Sequence, residues 1–425
     1  MLGRYLRKNI LPRTRWAAMD GRRNVAERSK TPLCQQQHYQ NVSSITSEEN
    51  KQGDNEQFLI SQIYMHSNFP TKPVNLSRLY HMIQEPVTVT DIVNSARSLQ
   101  EEVPVRLARR VVELESLPSI MADHPSIEGL KSKLVRSFAK LKEAPEVKDE
   151  ASEREYMILQ RSVRDEHQDM YNLLVEALVQ NLGDKDHESS EVTSIIDGFY
   201  SSRISIRMLI DHHNAIKRQR EKEGDAITGI IDRDLRPIRV IEDMISDVRS
   251  CCESNFGISP EIRVDGTMDF SFSYIRDHLE RIMYAILLNA ARATAKFHIE
   301  KGDSSDENIS PVDVFIAGNN NGCTVRVGDR GGSIVDFQDV ENLFKYAATS
   351  SHSVVGDSAS SMNDPLSGSA PNIAGANFVS HESSTLKGFG LPVSRLYARY
   401  FGGDLKVIPL GSYGNETYVH LRSLA

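Results

Sequence analysis

YIRDHLERIMYAILLNAARATAKFH spans residues 274–298 and has the period of an amphipathic helix. Leu279, Ile282, Met283, Ile286, Leu287, Ala290 and Ala293 recur on one broad apolar face. Asn289 sits inside this run, and Arg292 follows about one turn later. An Asn amide oxygen is a hard ligand suited to Mg²⁺, and a guanidinium suits a phosphate. On the helix alone, Asn289 reads equally as a hydrogen-bonded polar residue at a packing site.

Working outward towards the C-terminus, VDVFIA (312–317) and CTVRV (323–327) alternate as two strands joined by the turn GNNNG. Asp329-Arg330-Gly331-Gly332 follows the second strand directly. An Asp at a strand end can accept a hydrogen bond from an adenine amino group, and the glycines let backbone approach a nucleotide closely. A short helix is expected to begin at Glu341–Tyr346. Residues 350–385 are rich in Ser, Gly and Asn without periodicity, the composition of a lid or a disordered insert. Gly388-Phe389-Gly390-Leu391-Pro392 then opens a helix to Tyr400, a glycine-rich entry whose free N–H groups and dipole favour a phosphate. Strands are expected at Asp404–Pro409 and Thr417–Leu421, and upstream at Glu261–Val264 and Phe270–Phe272, with a helix over Pro237–Cys251.

Towards the N-terminus the pattern is helical. Val89–Leu99, Val103–Leu114, Ile127–Leu141, Glu153–Val179 and Val192–Ile216 each carry apolar residues at helical spacing, with Pro104 and Pro118 placed near helix edges. KRQREKEGD (217–225) is a charged break and a domain boundary. The expected architecture is two-domain: an all-α bundle over 56–218, then an α+β domain with a mixed sheet over 226–425, its lid at 347–387.

The first thirty residues hold nine Lys/Arg and two Asp/Glu, and an amphipathic, acid-poor start of this kind reads as a mitochondrial transit peptide. A basic arm for nucleic acid or a membrane surface is the alternative. Residues 31–55 are polar and read as a disordered spacer. Without residues 1–30 the formal charge moves from −8 to −15, which disfavours nucleic acid as a partner. No apolar run is long enough to span a bilayer, and the four cysteines lack metal-ligand spacing.

Taken in order, the Asn-bearing helix, strand–DxGG, long insert and GxGLP resemble the GHKL superfamily of ATP-binding domains. The strings SSRISIRMLIDHH (201–213), LNAARAT (288–294), VGDRGGS (327–333) and GFGLPVSRLYARYFGGDL (388–405) are similar to one branch, the mitochondrial 2-oxo acid dehydrogenase kinases of pyruvate and branched-chain type. LQEEVPVRLARRV (99–111) and DEHQDM (165–170) extend the likeness into the helical half. The resemblance implies a protein-serine kinase of the mitochondrial matrix that uses ATP and Mg²⁺ and inactivates a dehydrogenase component. It also implies docking on a lipoyl-bearing acyltransferase core, and a homodimer. Residue by residue it implies Asn289 for Mg²⁺, Arg292 near the phosphates, and Asp329 with Gly331 and Gly332 for adenine. Lys387, Gly388, Phe389, Gly390 and Leu391 would form the phosphate loop, Thr349 and Ser350 would lie near the nucleotide, and Asn415 would stand in the adenine pocket. His167 matches a family histidine beside the active cleft.

The chain departs from the family where it matters most. The glutamate that serves as general base is Ala285, the lysine three residues on is Leu288, and a histidine one turn earlier is Arg281. The third glycine of DxGGG is Ser333. Glu280, five residues before Ala285, lies on a different helical face. The alternative expectation is therefore a pseudokinase that binds nucleotide or lipoyl domain without transferring phosphate.

Overall fold

A computed structural model describes residues 46–83, 86–167, 170, 173–174, 190–220, 227–267, 269–302, 309–332, 337–346 and 390–424. The transit peptide, most of the spacer and the lid expected over 347–387 lie outside these residues.

The N-terminal half is helical: α1 Thr46–Ser67, α2 Leu76–His81, α3 Val89–Glu115, α4 Ser119–Ala122, α5 Pro125–Glu143, α6 Glu150–Glu166 and α7 Ser190–Arg220. Helix α1 begins at Thr46, so residues 46–55, expected as spacer, are helical. The two helices expected over 89–114 are one, with Pro104 inside it. The ring removes one intrahelical hydrogen bond, a penalty of about 3 kcal/mol. Leu99, Val103, Leu107, Val111 and Leu114 are all buried on the same stripe, and their packing outweighs that penalty. The start of α3 is held by a capping box in which Thr88 and Asp91 bond each other's backbone N–H. Helix α6 is capped the same way by Asp149 and Ser152, and ends at His167.

Helix α7 runs on through Arg220, past the expected break at Lys217. It is locked to α6 by Glu153, only 1% exposed, which accepts from His213 Nε2 at 3.0 Å and Lys217 Nζ at 2.8 Å. Burial works against charge on this carboxyl, but the His213 and Lys217 donors prevail and hold it below the usual range.

The C-terminal half is built on two sheets. Strands β1 Ile227–Thr228, β2 Ile231–Leu235 and β4 Phe272–Tyr274 form a small antiparallel sheet. Strands β3 Ile262–Gly266, β5 Val312–Asn319, β6 Gly322–Gly328, β7 Asp404–Pro409 and β8 Asn415–Arg422 form the main one, in the order β3-β5-β6-β8-β7. The β3–β5 pair is parallel and the others antiparallel, so the main sheet is mixed. Strands β1 and β2 were not expected, and β4 lies two residues later than expected and joins them rather than the main sheet. The expected helix at Glu341 is a 3₁₀ turn, Phe337–Phe344.

Alternation fixes which face is inside. Val312, Val314 and Ile316 of β5 and Cys323, Val325 and Val327 of β6 are buried, while Phe315 between them is exposed. The buried face meets α9 Arg276–Glu300, flanked by α8 Pro237–Phe256 and α10 Gly390–Tyr400. Leu279, Ile282, Met283, Ile286, Leu287 and Ala291 of α9 are at most 2% exposed, so the apolar stripe read in the sequence is the central packing surface of this half. The halves meet along α7 and α10, where Ser205 Oγ and Tyr400 OH are 2.6 Å apart.

Candidate nucleotide site

The candidate site is assembled on the face of α9 turned away from its core stripe. Ala285, Asn289, Ala293 and Phe297 recur every four residues and so follow one line along the helix. Asn289 is exposed, although its neighbours Leu288 and Ala290 are buried. A Cβ placed on Gly390 would lie 3.8 Å from Asn289 Nδ2 and 3.9 Å from Ala285 Cβ, so the first residue of α10 stands directly over both.

One turn further along α9 the loop after β6 lies against the helix. Arg330 N donates to Thr294 Oγ1 at 3.2 Å. Gly331 is pressed so close that a Cβ there would come within 2.5 Å of the Ala293 carbonyl carbon. Gly332 takes φ 69° and faces the Phe297 ring, where a Cβ would be 2.9 Å away. Both glycines of the DxGG motif are therefore required by the seat on α9.

This contact aims Asp329, which is 7% exposed. Its Oδ1 accepts from Gly331 N at 3.0 Å and Asn415 N at 3.2 Å, and its Oδ2 from Asn415 Nδ2 at 3.4 Å. Backbone pairing of Asp329 N with Asn415 O at 2.9 Å joins the end of β6 to the start of β8. Gly414, at φ 144°, makes this possible, because a Cβ would strike the Asp329 carbonyl oxygen at 2.2 Å. Burial pushes the Asp329 carboxyl above the usual carboxylate range, and the donors from Gly331 and Asn415 pull the other way. Asn415 thus touches Asp329, a role that a hydrogen-bonding residue at the start of β8 can be read to have only once the β6–β8 register is known.

Arg292 is turned aside. Its Nη2 lies 4.0 Å from Cys251 Sγ on α8, and it is half-buried against that helix. His167 is set apart from the site altogether. It closes α6, pairs with Ser137 Oγ at 2.7 Å, and lines a small cavity in the bundle with Leu107, Phe199 and Arg203. Leu391 is half-buried next to Gly390. Thr349, Ser350, Lys387, Gly388, Phe389 and Ser333 lie outside the described residues.

The donor set fits a magnesium nucleotide. Asn289 offers one exposed carbonyl oxygen, and Mg²⁺ commonly takes one or two protein ligands with phosphates and water completing its shell. No group of three or more His, Cys, Asp or Glu side chains with metal-binding geometry occurs among the described residues. Ala285 is 9% exposed and Leu288 6%, so neither of the two departures from the family pattern brings a charge to this line.

Comparison with known proteins agrees with the resemblance. The profile of a family described as mitochondrial branched-chain alpha-ketoacid dehydrogenase kinase matches residues 73–232. A mitochondrial [pyruvate dehydrogenase (acetyl-transferring)] kinase of Arabidopsis thaliana is 29% identical over 367 residues, covering 86% of this chain and 94% of the relative. The human isozyme 4 is 28% identical over 77% of this chain and 76% of its own length, and the human isozyme 1 is 27% identical over 77% and 72%. The profile runs from α2 to the first residues of β2, and the relatives extend the match across α9. Across both halves the chain is thus similar to mitochondrial 2-oxo acid dehydrogenase kinases.

Proposed function

We propose that this chain is an ATP-dependent protein-serine kinase of the mitochondrial matrix that inactivates the dehydrogenase component of a 2-oxo acid dehydrogenase complex. The observation that carries the reading is the joint seat of Gly390 and the Asp329–Gly332 loop on one line of α9, with Asn289 between them. On this reading the C-terminal half is a GHKL-type nucleotide domain. Asp329, held by Asn415, uses its remaining acceptor capacity for the adenine amino group. Gly331 and Gly332 let the base approach, and Lys387, Gly388, Phe389, Gly390 and Leu391 wrap the phosphates, with Thr349 and Ser350 nearby. Arg292 approaches the phosphates by leaving Cys251. Asn289 would hold Mg²⁺, which would supply neutralisation of phosphate charge.

The acceptor serine attacks the γ-phosphorus as the bond to the β,γ-bridging oxygen breaks, and its proton must leave. A carboxylate at position 285 would take that proton; the alanine there does not. A positioned base contributes typically ~10²–10⁴-fold, while phosphoryl transfer rests mainly on positioning and charge neutralisation. Slow transfer is therefore the expected outcome. The helical half serves for docking on a lipoyl-bearing core, and the chain acts as a homodimer.

The test is γ-labelled Mg-ATP with each candidate dehydrogenase component, comparing the natural chain with Ala285→Glu. Serine labelling by both, faster in the variant, supports the kinase reading. Labelling by the variant alone assigns the chain to binding without transfer, the reading that Ala285 itself favours. Unchanged Mg-ATP affinity in Asn289→Ala removes the pocket assignment.

A further inference from the structure

A cavity of about 590 Å³ opens between the two halves, distinct from the site on α9. One wall is α7, with Ile204, Met208, Asp211 and Arg218; the other is the start of α9, with Asp277, His278 and Arg281. The β1–β2 pair closes one side through Ile230, and Tyr397 of α10 also lines the space. None of Ala285, Asn289, Asp329 or Asn415 lines it. The volume falls in the range of small-molecule sites.

The lining is built for more than one kind of contact. His278 is 5% exposed, and burial holds its imidazole neutral, with its pKa lowered to about 3. Its Nδ1 has no hydrogen-bond partner, although the ring packs edge-on against Tyr397 at 4.7 Å between centroids. Arg281 is also 5% exposed and sits 5.5 Å over the same Tyr397 ring. Asp211 and Asp277 approach from opposite halves. Desolvation pushes both carboxyls up, Asp211 to about 6, against the pull of Arg207 on Asp211, of Arg281 and Arg276 on Asp277, and of Arg218 on both. Their mutual repulsion adds to the rise at Asp211. Asp211 is half-buried and Asp277 exposed at the cavity mouth, and a cation placed between the two carboxylates relieves their repulsion. A simple cation would leave the arginines and the aliphatic wall unused.

We infer that this cavity binds a small zwitterion of the α-amino acid class with an aliphatic side chain. The ammonium lies between Asp211 and Asp277, the carboxylate meets Arg218 and Arg281, and the side chain packs on Ile204, Met208 and Ile275. Because the two carboxylates belong to α7 and α9, the ligand ties the helical half to the nucleotide-bearing half, which makes the cavity an effector site.

The test uses the intact chain without nucleotide, and three probes of one carbon skeleton. L-leucine carries both charges, 4-methylpentanoate only the carboxylate and isopentylamine only the ammonium. Titration calorimetry is expected to show L-leucine binding, with each single-charge analogue at least about tenfold weaker, the size of one charged hydrogen bond. Asp277→Asn should weaken L-leucine by a similar factor and leave 4-methylpentanoate unchanged. If Asp277→Asn fails to fold, Asp211→Asn carries the same expectation. Absence of L-leucine binding at millimolar concentration overturns the assignment, as does equal binding of 4-methylpentanoate or full affinity in the Asn variant. Asn289→Ala should leave L-leucine binding intact, so failure here and failure of the nucleotide reading are separate results.

Discussion

Gly331→Ala puts the α9 seat under direct load. The new methyl would lie 2.5 Å from the Ala293 carbonyl carbon and 2.6 Å from its Cβ, and helix backbone cannot yield. The loop must lift instead, which breaks the Gly331 N–H donation to Asp329 Oδ1, now 3.0 Å long. Overpacking of this kind costs about 1–3 kcal/mol. A lost hydrogen bond to a charged group adds about 1.5–3 kcal/mol. Some of this falls on folding and some on the geometry of Asp329, so nucleotide affinity is expected to drop by roughly 10²-fold. The assay is titration calorimetry with Mg-ATP beside a urea melt. Gly129→Ala is the control, because nothing lies within 4 Å of its added methyl and it stands in α5. It should stabilise by about 0.5–1 kcal/mol and leave affinity alone. Wild-type Mg-ATP affinity in a folded Gly331→Ala chain would refute the argument that this loop is aimed by its contact with Ala293.

Asn415→Ala removes one side-chain donor from Asp329 but keeps the backbone pairing, so Mg-ATP affinity should fall about tenfold or less, measured by the same titration. Glu153→Ala leaves buried His213 and the partly exposed Lys217 without their acceptor and should lower stability by about 3 kcal/mol in a urea melt; a shift below half that size would mean the α6–α7 contact rests on packing alone. Asp211 has a raised folded pKa of about 6, so its contribution to stability is present in acid and is lost as pH rises through 6. Asp211→Asn should therefore stabilise the chain by about 2 kcal/mol above that pH and by nothing below its unfolded value, as read by thermal melts across pH. His212 and His278 have folded pKa values lowered to about 4 and 3 by burial. Their contribution is present above the unfolded value and is lost as pH falls, so the natural chain should lose stability steadily below about 6.5, in the same melts.

Local pattern was enough for α9, β5 and β6. Residues 274–298 read as a helix because apolar side chains recur at helical spacing, although Ala293, expected on the core face, lies under the Gly331 loop, and β5 and β6 read as strands because burial alternates along them. The glycines of the DxGG motif were visible as points of close approach, although what they approach was not. The misplaced elements are those whose structure depends on distant partners. Pro104 breaks a helix by local rules, and only packing of α3 on its neighbours keeps that helix whole. Strands β1 and β2 are two and five residues long, and they exist because they pair with each other and β2 with β4.

The same division runs through the site. Residue identity alone determined that Ala285 has no proton-accepting group, and it supplied Asn289 and Asp329 as the side chains on which the proposed nucleotide site rests. Only the tertiary structure decided that Asn415 holds Asp329, that Arg292 turns to Cys251, and that His167 belongs to the bundle. It alone set Asp211 and Asp277 against each other, 66 positions apart in the chain. Side-chain periodicity follows from the geometry of one helix or strand and can be read along the chain. Partnership between residues of different elements follows from how those elements pack, and no local pattern encodes it.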